Sequence, residues 1–487
     1  MLKLTENHNP NYVAHVCRVT EIRPIKGADR VVEAIVNGCH VVTGKSVREG
    51  DIVIYFPVES QLDQAFLAAN NLYSFDLRHQ NFAFAGGHAA NLNELYQTAV
   101  NEGNDEMADT LRCHLKEFCG MFDAKGRVKI KQIRGIYSQG FICTPKFIEN
   151  LVDEEIDWES LVGESFDSIR DWDRPLVKKY QLEIPVDETS DSSQKRWRKT
   201  MKRLLSYDCM IPGQFQFHYD TVKAEFGLND IHPDDNITLT VKVDGSSVII
   251  ANTLTRFKPN IFQRMLQKFG KQYPDTVYRP IYASRRSIKN RWVRGRGNRF
   301  YDKDIHGFVF RDFKNVLAPG MTVYGEIVGY QEKTNKFIQT NHDYGCKMGE
   351  WKFMPYRITT TTEDGTVSEW EMGDIDLWCD KTRYINPKLY SKLMSPVIVY
   401  SGKARDLYPD LPEENWAQHF IDRLHEDKNF YMELDEPLCK CKVPREGLVL
   451  RIKNDIKPRA WKIKTARHLA REGKENDEGK ANIEDIS

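Results

Sequence analysis

The feature that most restricts the fold of this chain is a stretch with little to bury. From about Asp153 to Ser193 the sequence is acidic and polar, and it ends Thr-Ser-Asp-Ser-Ser over 189–193. That composition fits a flexible linker rather than a packed layer. A chain of 487 residues interrupted there has to build separate cores, in keeping with a prior of roughly 100 to 200 residues per domain. The expected organisation is a first domain over 1–190, a second over 191–470 and a charged tail over 471–487. From Arg471 onward charge alternates with almost no large apolar residues, which predicts a disordered tail or a frayed helix.

The two halves follow different patterns. In the first, strand-like segments at Tyr12 to Ile22, Arg30 to Val36, His40 to Thr43 and Asp51 to Phe56 are punctuated by Lys26-Gly27, Asn37-Gly38 and Glu49-Gly50-Asp51. A helical insertion follows at Asn91 to Val100 and Met107 to Phe118, and β-character returns at Arg127 to Ile133 and Ser138 to Cys143. An OB-type barrel with a helical insertion accommodates this pattern. In the second half, strands at Ile237 to Val243, Met321 to Gly329, Lys352 to Thr359 and Leu448 to Ile452 are separated by helical and irregular stretches. The expected class is therefore α+β and multidomain, with mixed antiparallel sheets and helices following the barrel.

Several functions are disfavoured early. Formal net charge is zero, so a polyanion must be held by local patches. Two are visible: Lys195, Arg196, Trp197, Arg198, Lys199, Lys202 and Arg203, and the run from Arg285 to Arg299 around Trp292. Nothing approaches the apolar length of a membrane span, and no apolar run follows the N-terminal Lys3. Ten cysteines are scattered without a CxxC pair, which fits free thiols in a reducing cytosol. A cytoplasmic location is expected. Gly38 to Ser46 approximates a phosphate-binding loop, but its glycines are one residue too far apart and strands rather than a helix are expected after it. Gly295-Arg-Gly297 lacks the third glycine of a dinucleotide fingerprint. No HExxH pair is present, and His218, like the other histidines, has a structural role as its default.

The chemistry concentrates at Ile237-Thr-Leu-Thr-Val-Lys-Val-Asp-Gly245-Ser-Ser-Val-Ile-Ile250. A strand delivers Lys242, and Asp244-Gly245 turns the chain into a second strand. An amine held there, with burial and nearby cations to lower its pKa, can act as a nucleophile at neutral pH. Alone, Asp-Gly is also a common hairpin turn. What distinguishes it is the ordered series that follows: Tyr282-Ala-Ser-Arg-Arg286, Val323-Tyr-Gly-Glu326-Ile-Val-Gly, Trp351-Lys-Phe-Met-Pro-Tyr356-Arg-Ile, Arg445-Glu446-Gly447-Leu-Val-Leu and Ala460-Trp-Lys462-Ile-Lys464.

Order and residue types resemble the lysine-nucleotidyltransferase superfamily of ATP-dependent ligases and mRNA capping enzymes, over most of residues 237 to 464. The resemblance implies that Lys242 forms a covalent lysyl-AMP. It also implies that Lys462 and Lys464, on one strand face at period two, meet the α-phosphate of ATP and depress the pKa of Lys242. Tyr356 is implied to stack on the base, although an aromatic in a strand is more often core. Arg285, or Arg286 in its place, is implied to bind near the ribose or the incoming strand end. Glu326 and Glu446 are implied in ribose or metal contact, with strand-end solvation or an ion pair open for either alone, and Asp244 in ordering water around a metal. The implied cofactors are ATP and Mg²⁺, or Mn²⁺.

An OB-like domain ahead of Lys242 and almost nothing after Lys464 look like nick-sealing RNA ligases with an N-terminal OB domain. The segments Val16 to Arg30, Ile133 to Phe141 and Phe215-Gln-Phe-His-Tyr-Asp-Thr221 are similar to theirs. Several RNA ligases carry histidine where this chain has Asp244. The implied activity joins 3'-hydroxyl and 5'-phosphate ends of RNA or an RNA-containing duplex. The rivals are a GTP-dependent guanylyltransferase and a non-catalytic OB-type RNA-binding protein.

Overall fold

The structure, a computed structural model, describes residues 2–6, 8–85, 87–152, 154–170, 172–181, 209–218, 220–259, 261–289, 301, 304–453 and 459–479. The chain divides into two compact units, residues 1–182 with 469–474 and residues 183–468 with 475–487. The basic cluster at 195–203, the linker residues 182–193, the glycines at 295 and 297, and the part of the second basic run from 290 lie outside the described residues.

In the first unit, β1 (Ala14–Pro24), β2 (Val31–Val36), β3 (Cys39–Gly44), β4 (Ile52–Pro57) and β7 (Gly140–Cys143) form a sheet in the order β3-β2-β1-β4-β7. Its two ends approach each other. The Gln139 N–H donates to the His40 carbonyl at 2.7 Å, and the Val42 N–H donates to Ser138 Oγ at 3.0 Å. This is an OB-type near-barrel. Asn37-Gly38 turns β2 into β3 with positive φ at both residues, 51° and 79°, as a two-residue hairpin requires. The chain that approximates a phosphate loop is thus a hairpin and a strand. Helices α1 (Arg78–Ala85), α2 (Gly87–Asn101) and α3 (Asp105–Leu115) make the insertion. After them the short hairpin β5 (Lys131–Ile133) and β6 (Ile136–Ser138) leads into β7.

Residues 154–181 correct the linker expectation. Trp158, Phe166, Ile169, Leu176 and Val177 are buried in the core of the first unit, and Val177–Lys179 pairs antiparallel with Ser60–Leu62. Spaced between acids, these few apolar residues supply buried anchors that average composition conceals.

The second unit contains two sheets. One runs β8 (Val222–Lys223), β18 (Arg459–Lys464), β17 (Gly447–Ile452), β9 (Asn236–Lys242), β16 (Ile398–Lys403). The other runs β12 (Ile288–Lys289), β11 (Thr276–Ala283), β10 (Ser246–Arg256), β13 (Met321–Gly329), β14 (Trp351–Thr361), β15 (Val367–Glu369). Strand alternation sorts the faces. Ile237, Leu239, Val241, Leu448, Leu450, Trp461 and Ile463 bury one side of the first sheet with α6 (Trp416–Glu426), leaving Lys242, Lys462 and Lys464 on the other. Val248, Ile250, Val323 and Ile327 bury one side of the second sheet with α4 (Ile305–Phe313) and α5 (Met372–Ile385).

Of the two readings of the tail, its first residues take the helical one: residues 471–477 belong to α7 (Ala466–Asp477). Its first turn is fixed by Glu433, whose carboxylate accepts from the Ala466 and Arg467 N–H groups at 2.6 and 2.9 Å. Buried positions recur at Ala466, Leu469, Gly473 and Asn476, a helical spacing filled partly by Gly and Asn and therefore invisible to an apolar count.

Candidate active site

The reactive segment joins the two sheets. β9 ends at Lys242 in one, and β10 begins at Ser246 in the other. The turn between them is not a hairpin within a sheet. Gly245 is demanded by close approach: a Cβ there would lie 2.7 Å from the Ile327 carbonyl oxygen. The Asp244 N–H donates to the Tyr344 hydroxyl at 2.6 Å. Burial, and then the Asp244 carboxylate, hold the Tyr344 phenol well above its usual pKa.

Pairing across three strands sets the lysines. Lys242 is opposite Gly447, and Gly447 is opposite Lys464. Glu446, buried, reaches both amines: its Oε1 is 2.7 Å from Lys242 Nζ and 3.3 Å from Lys464 Nζ. Between them Gly447 has φ 151°, and a Cβ would come within 1.9 Å of the Ile463 carbonyl oxygen, so no side chain fits. One row along, Lys462 is opposite Val449 on one side and Lys223 on the other. Burial first, then Lys464 and Lys223, push the Lys462 ammonium down to about 7.

The second sheet supplies the facing groups. Glu326 on β13 is buried and stands opposite Ser247 of β10. Tyr324 pairs with Arg357 but Gly325 pairs with Pro355, so Tyr356 is the extra residue of a bulge, a device that re-aims a side chain. Its hydroxyl lies 3.3 Å from Ser247 Oγ. Arg451 of β17 ties the sheets together, donating to the Tyr356 carbonyl at 3.0 Å and to Thr240 Oγ1 at 3.1 Å. His218 meets the Tyr356 ring edge-on at 5.1 Å and the Tyr324 ring at 5.8 Å. Burial and the Arg357, Arg285 and Arg451 guanidinium groups hold His218 down to about 3, so it is neutral. Arg285 is ion-paired with Asp220, whereas Arg286 is exposed.

Sequence reasoning missed Lys223, Arg451 and Asp220, and it gave His218 only a structural default. Strand alternation through Val449 and Arg451 was the available signal for the arginine. It also missed two imidazoles beside Asp244, with His342 Nε2 at 3.5 Å and His468 Nδ1 at 4.0 Å from its Oδ2.

A crowd of lysines facing buried carboxylates and an aromatic ring is suited to a nucleoside polyphosphate. The cations neutralise phosphate charge, and the ring offers a stacking surface. Among the described residues no group of three or more His, Cys, Asp or Glu side chains is arranged to hold a metal ion. Asp244, Glu326 and Glu446 do not form a dedicated cage; an ion that arrives with phosphates and keeps its waters would need only one or two carboxylates. All ten cysteines are free. Lys440 and Cys441 donate their backbone N–H groups to Asp343 Oδ2, both at 3.0 Å. No helix among the described residues is long and apolar enough to cross a membrane.

Comparison with known proteins follows this architecture. An OB-fold domain family matches residues 13–82. No curated protein matches. Among solved structures, a lysine-to-alanine variant of Naegleria gruberi RNA ligase with ATP and Mn is similar over 95% of this chain and 99% of its own, with a TM-score of 0.51 and 14% identity. A glutamate-to-alanine variant of that ligase with ATP and Mn gives the same values. Another with AMP and Mn gives a TM-score of 0.50 at 13% identity over 94% and 98% of the two chains. The fold of the chain, an OB-type near-barrel followed by a mixed α/β domain, resembles that of these RNA ligase structures.

Proposed function

We propose that this protein is an ATP-dependent RNA ligase that works through a lysyl-AMP on Lys242. The observation that carries this reading is the placement of the Lys242 amine 2.7 Å from buried Glu446, with Lys464 on the same carboxylate and Lys462 one row away. A structural ion pair needs one cation, and here a further lysine row is added behind it. Phosphates are the natural counter-charge for that excess.

In the proposed reaction, Lys242 gives up a proton, for which Glu446 Oε1 is within reach. The amine then attacks the α-phosphorus of ATP. An N–P bond forms, the P–O bond to the β-phosphate breaks, and pyrophosphate leaves. Lys462 and Lys464 neutralise charge developing on the phosphate oxygens, Tyr356 stacks on the base, and Glu326 contacts the ribose or a metal. Arg285 receives the strand end. The AMP passes to an RNA 5'-phosphate, and a 3'-hydroxyl displaces it, joining ends in an RNA-containing duplex, as at a nick. Magnesium, or manganese as in the Naegleria ligase, would be held by Asp244, Glu326 and Glu446, and would supply further neutralisation of phosphate charge. The free cysteines favour a reducing compartment such as the cytoplasm.

The test is incubation with α-labelled ATP or GTP and magnesium, followed by denaturing electrophoresis. Label retained from ATP alone is expected. Label from GTP alone would make the protein a guanylyltransferase, and no label from either would remove the covalent mechanism.

A further inference from the structure

The first unit contains a cavity of about 170 Å³ lined by Met121, Phe122, Asp123, Arg127, Val128, Lys129, Lys131, Gly140 and Phe141. On the scale of 10–15 Å³ for one water it has room for roughly 11 to 17 waters, which is the scale of a flat heteroaromatic ring rather than of a folded segment. One wall is aromatic and apolar. Phe141 packs edge-on to Phe122 at 5.1 Å and stacks on Phe56 at 6.0 Å, so the ring is held rigidly by the barrel core. Met121 is 56% exposed at the rim.

The other wall is cationic. Arg127, Lys129 and Lys131 all line the cavity, beside Val128, which is buried in the barrel core. Alternate residues of an extended chain are about 6.6 Å apart, a spacing able to follow successive phosphates. The three cations differ in availability. Arg127 is buried and donates through Nε to Glu59 at 3.0 Å, so it is part of the floor. Lys129 is 2.9 Å from Asp123, a half-exposed pair that a phosphate can displace. Lys131 is exposed on β5, where the Arg134-Gly135 turn, with φ 48° and 91°, folds the hairpin back.

We propose that this cavity takes one unpaired nucleotide of a nucleic-acid strand. The base lies against Phe141 and Met121, and its flanking phosphates meet Lys131 and Lys129. Stacking on a fixed ring combined with a short cationic track is the physical recipe for single-strand recognition without base-edge readout. The inference deepens the ligase reading by giving the OB unit a defined contact with the substrate strand. It requires only nucleic-acid binding, however, and not adenylylation.

The experiment titrates full-length protein with a fluorescent short single-stranded RNA and follows anisotropy at low salt. Wild type is compared with Lys131→Glu and Met121→Ser, both at exposed positions, after each shows the wild-type melt. The expected result is roughly tenfold weaker binding for Lys131→Glu, with a shallower salt dependence, and several-fold weaker binding for Met121→Ser. Wild type should also bind the same strand less well when its bases are replaced by abasic sites. Unchanged binding in both variants overturns the site. A loss confined to Lys131→Glu, with indifference to Met121→Ser and to base removal, also overturns it, because that describes a phosphate patch without a base pocket. So does a loss confined to Met121→Ser. Equal competition by polyglutamate would point to an acidic protein partner and would likewise overturn it. Adduct formation is measured on the same preparations: its absence in wild type would defeat the ligase reading while leaving the binding result to decide the cavity.

Discussion

Two pairs of lysines, each two residues apart in sequence, stand in unlike surroundings. In the first unit, Lys129 is paired with the Asp123 carboxylate and Lys131 is exposed on β5. In the second, Lys462 and Lys464 sit on a strand between others, with Lys223 and Lys242 on neighbouring strands. There Glu446 serves two amines at once, and Lys462 is pushed down to about 7. Period two fixes only which side the amines take. Whether they bind as solvated charges or become crowded enough to do chemistry depends on what stands across the strand. Cost follows crowding: the exposed row is cheap to keep, and the buried row is tolerated only because carboxylates compensate it.

Breaking the buried row should have the largest effects. Lys242→Arg and Lys242→Ala are each expected to abolish the nucleotide adduct, since arginine keeps its proton in proteins and cannot attack phosphorus. A retained adduct in gel analysis would transfer the role to another lysine. Next in size, Glu446→Ala leaves Lys242 and Lys464 facing each other without their shared carboxylate. Removing one partner of a buried pair costs about 3–5 kcal/mol, to be read from the denaturant midpoint, and adduct yield should fall with it.

A subtler effect separates crowding from pairing. The folded pKa of Lys462 lies below its unfolded value, so between about 7 and 10.5 the unfolded chain binds more protons than the folded one. Stability contributed by this group therefore rises with pH across that window, and the penalty is fully present below it. Lys462→Met should raise the melting temperature of the nucleotide-free protein at pH 6, by about 2–4 °C for each kcal/mol relieved, and the gain should vanish near pH 11. A pH-independent shift would mean that packing, not charge, is responsible. The smallest expected effect is in the exposed row. Lys129→Ala removes a half-exposed pair and should change stability by less than about 1 kcal/mol, and a larger loss in urea unfolding would show that this row too is structurally indispensable.

Where sequence reading succeeded, the information was local. The strand carrying Lys242, the shared face of Lys462 and Lys464, and the four opening barrel strands all follow from alternation and turn residues. Tyr356 resists that reasoning, because alternation along 351–361 is broken by the bulge between Tyr324 and Gly325 of the partner strand, a register event that the chain carrying it does not announce. His218 and Lys223 enter through tertiary approach, from a segment with little regular structure of its own, so nothing periodic marks them. Residues 154–181 and helix α7 were obscured by composition, since their buried positions are few or are filled by Gly and Asn. Placement of the roles on Lys242, Glu446 and their neighbours awaits the adduct experiments.

The tie between Arg451 and the bulge has a consequence for how this protein can diversify. The arginine grips the carbonyl of residue 356, and that bond is indifferent to which side chain is mounted there. Phenylalanine, tryptophan or histidine can be exchanged at this position while the backbone stays moored. A lineage could therefore vary the ring mounted at this position one substitution at a time, without first having to rebuild the seam between its sheets.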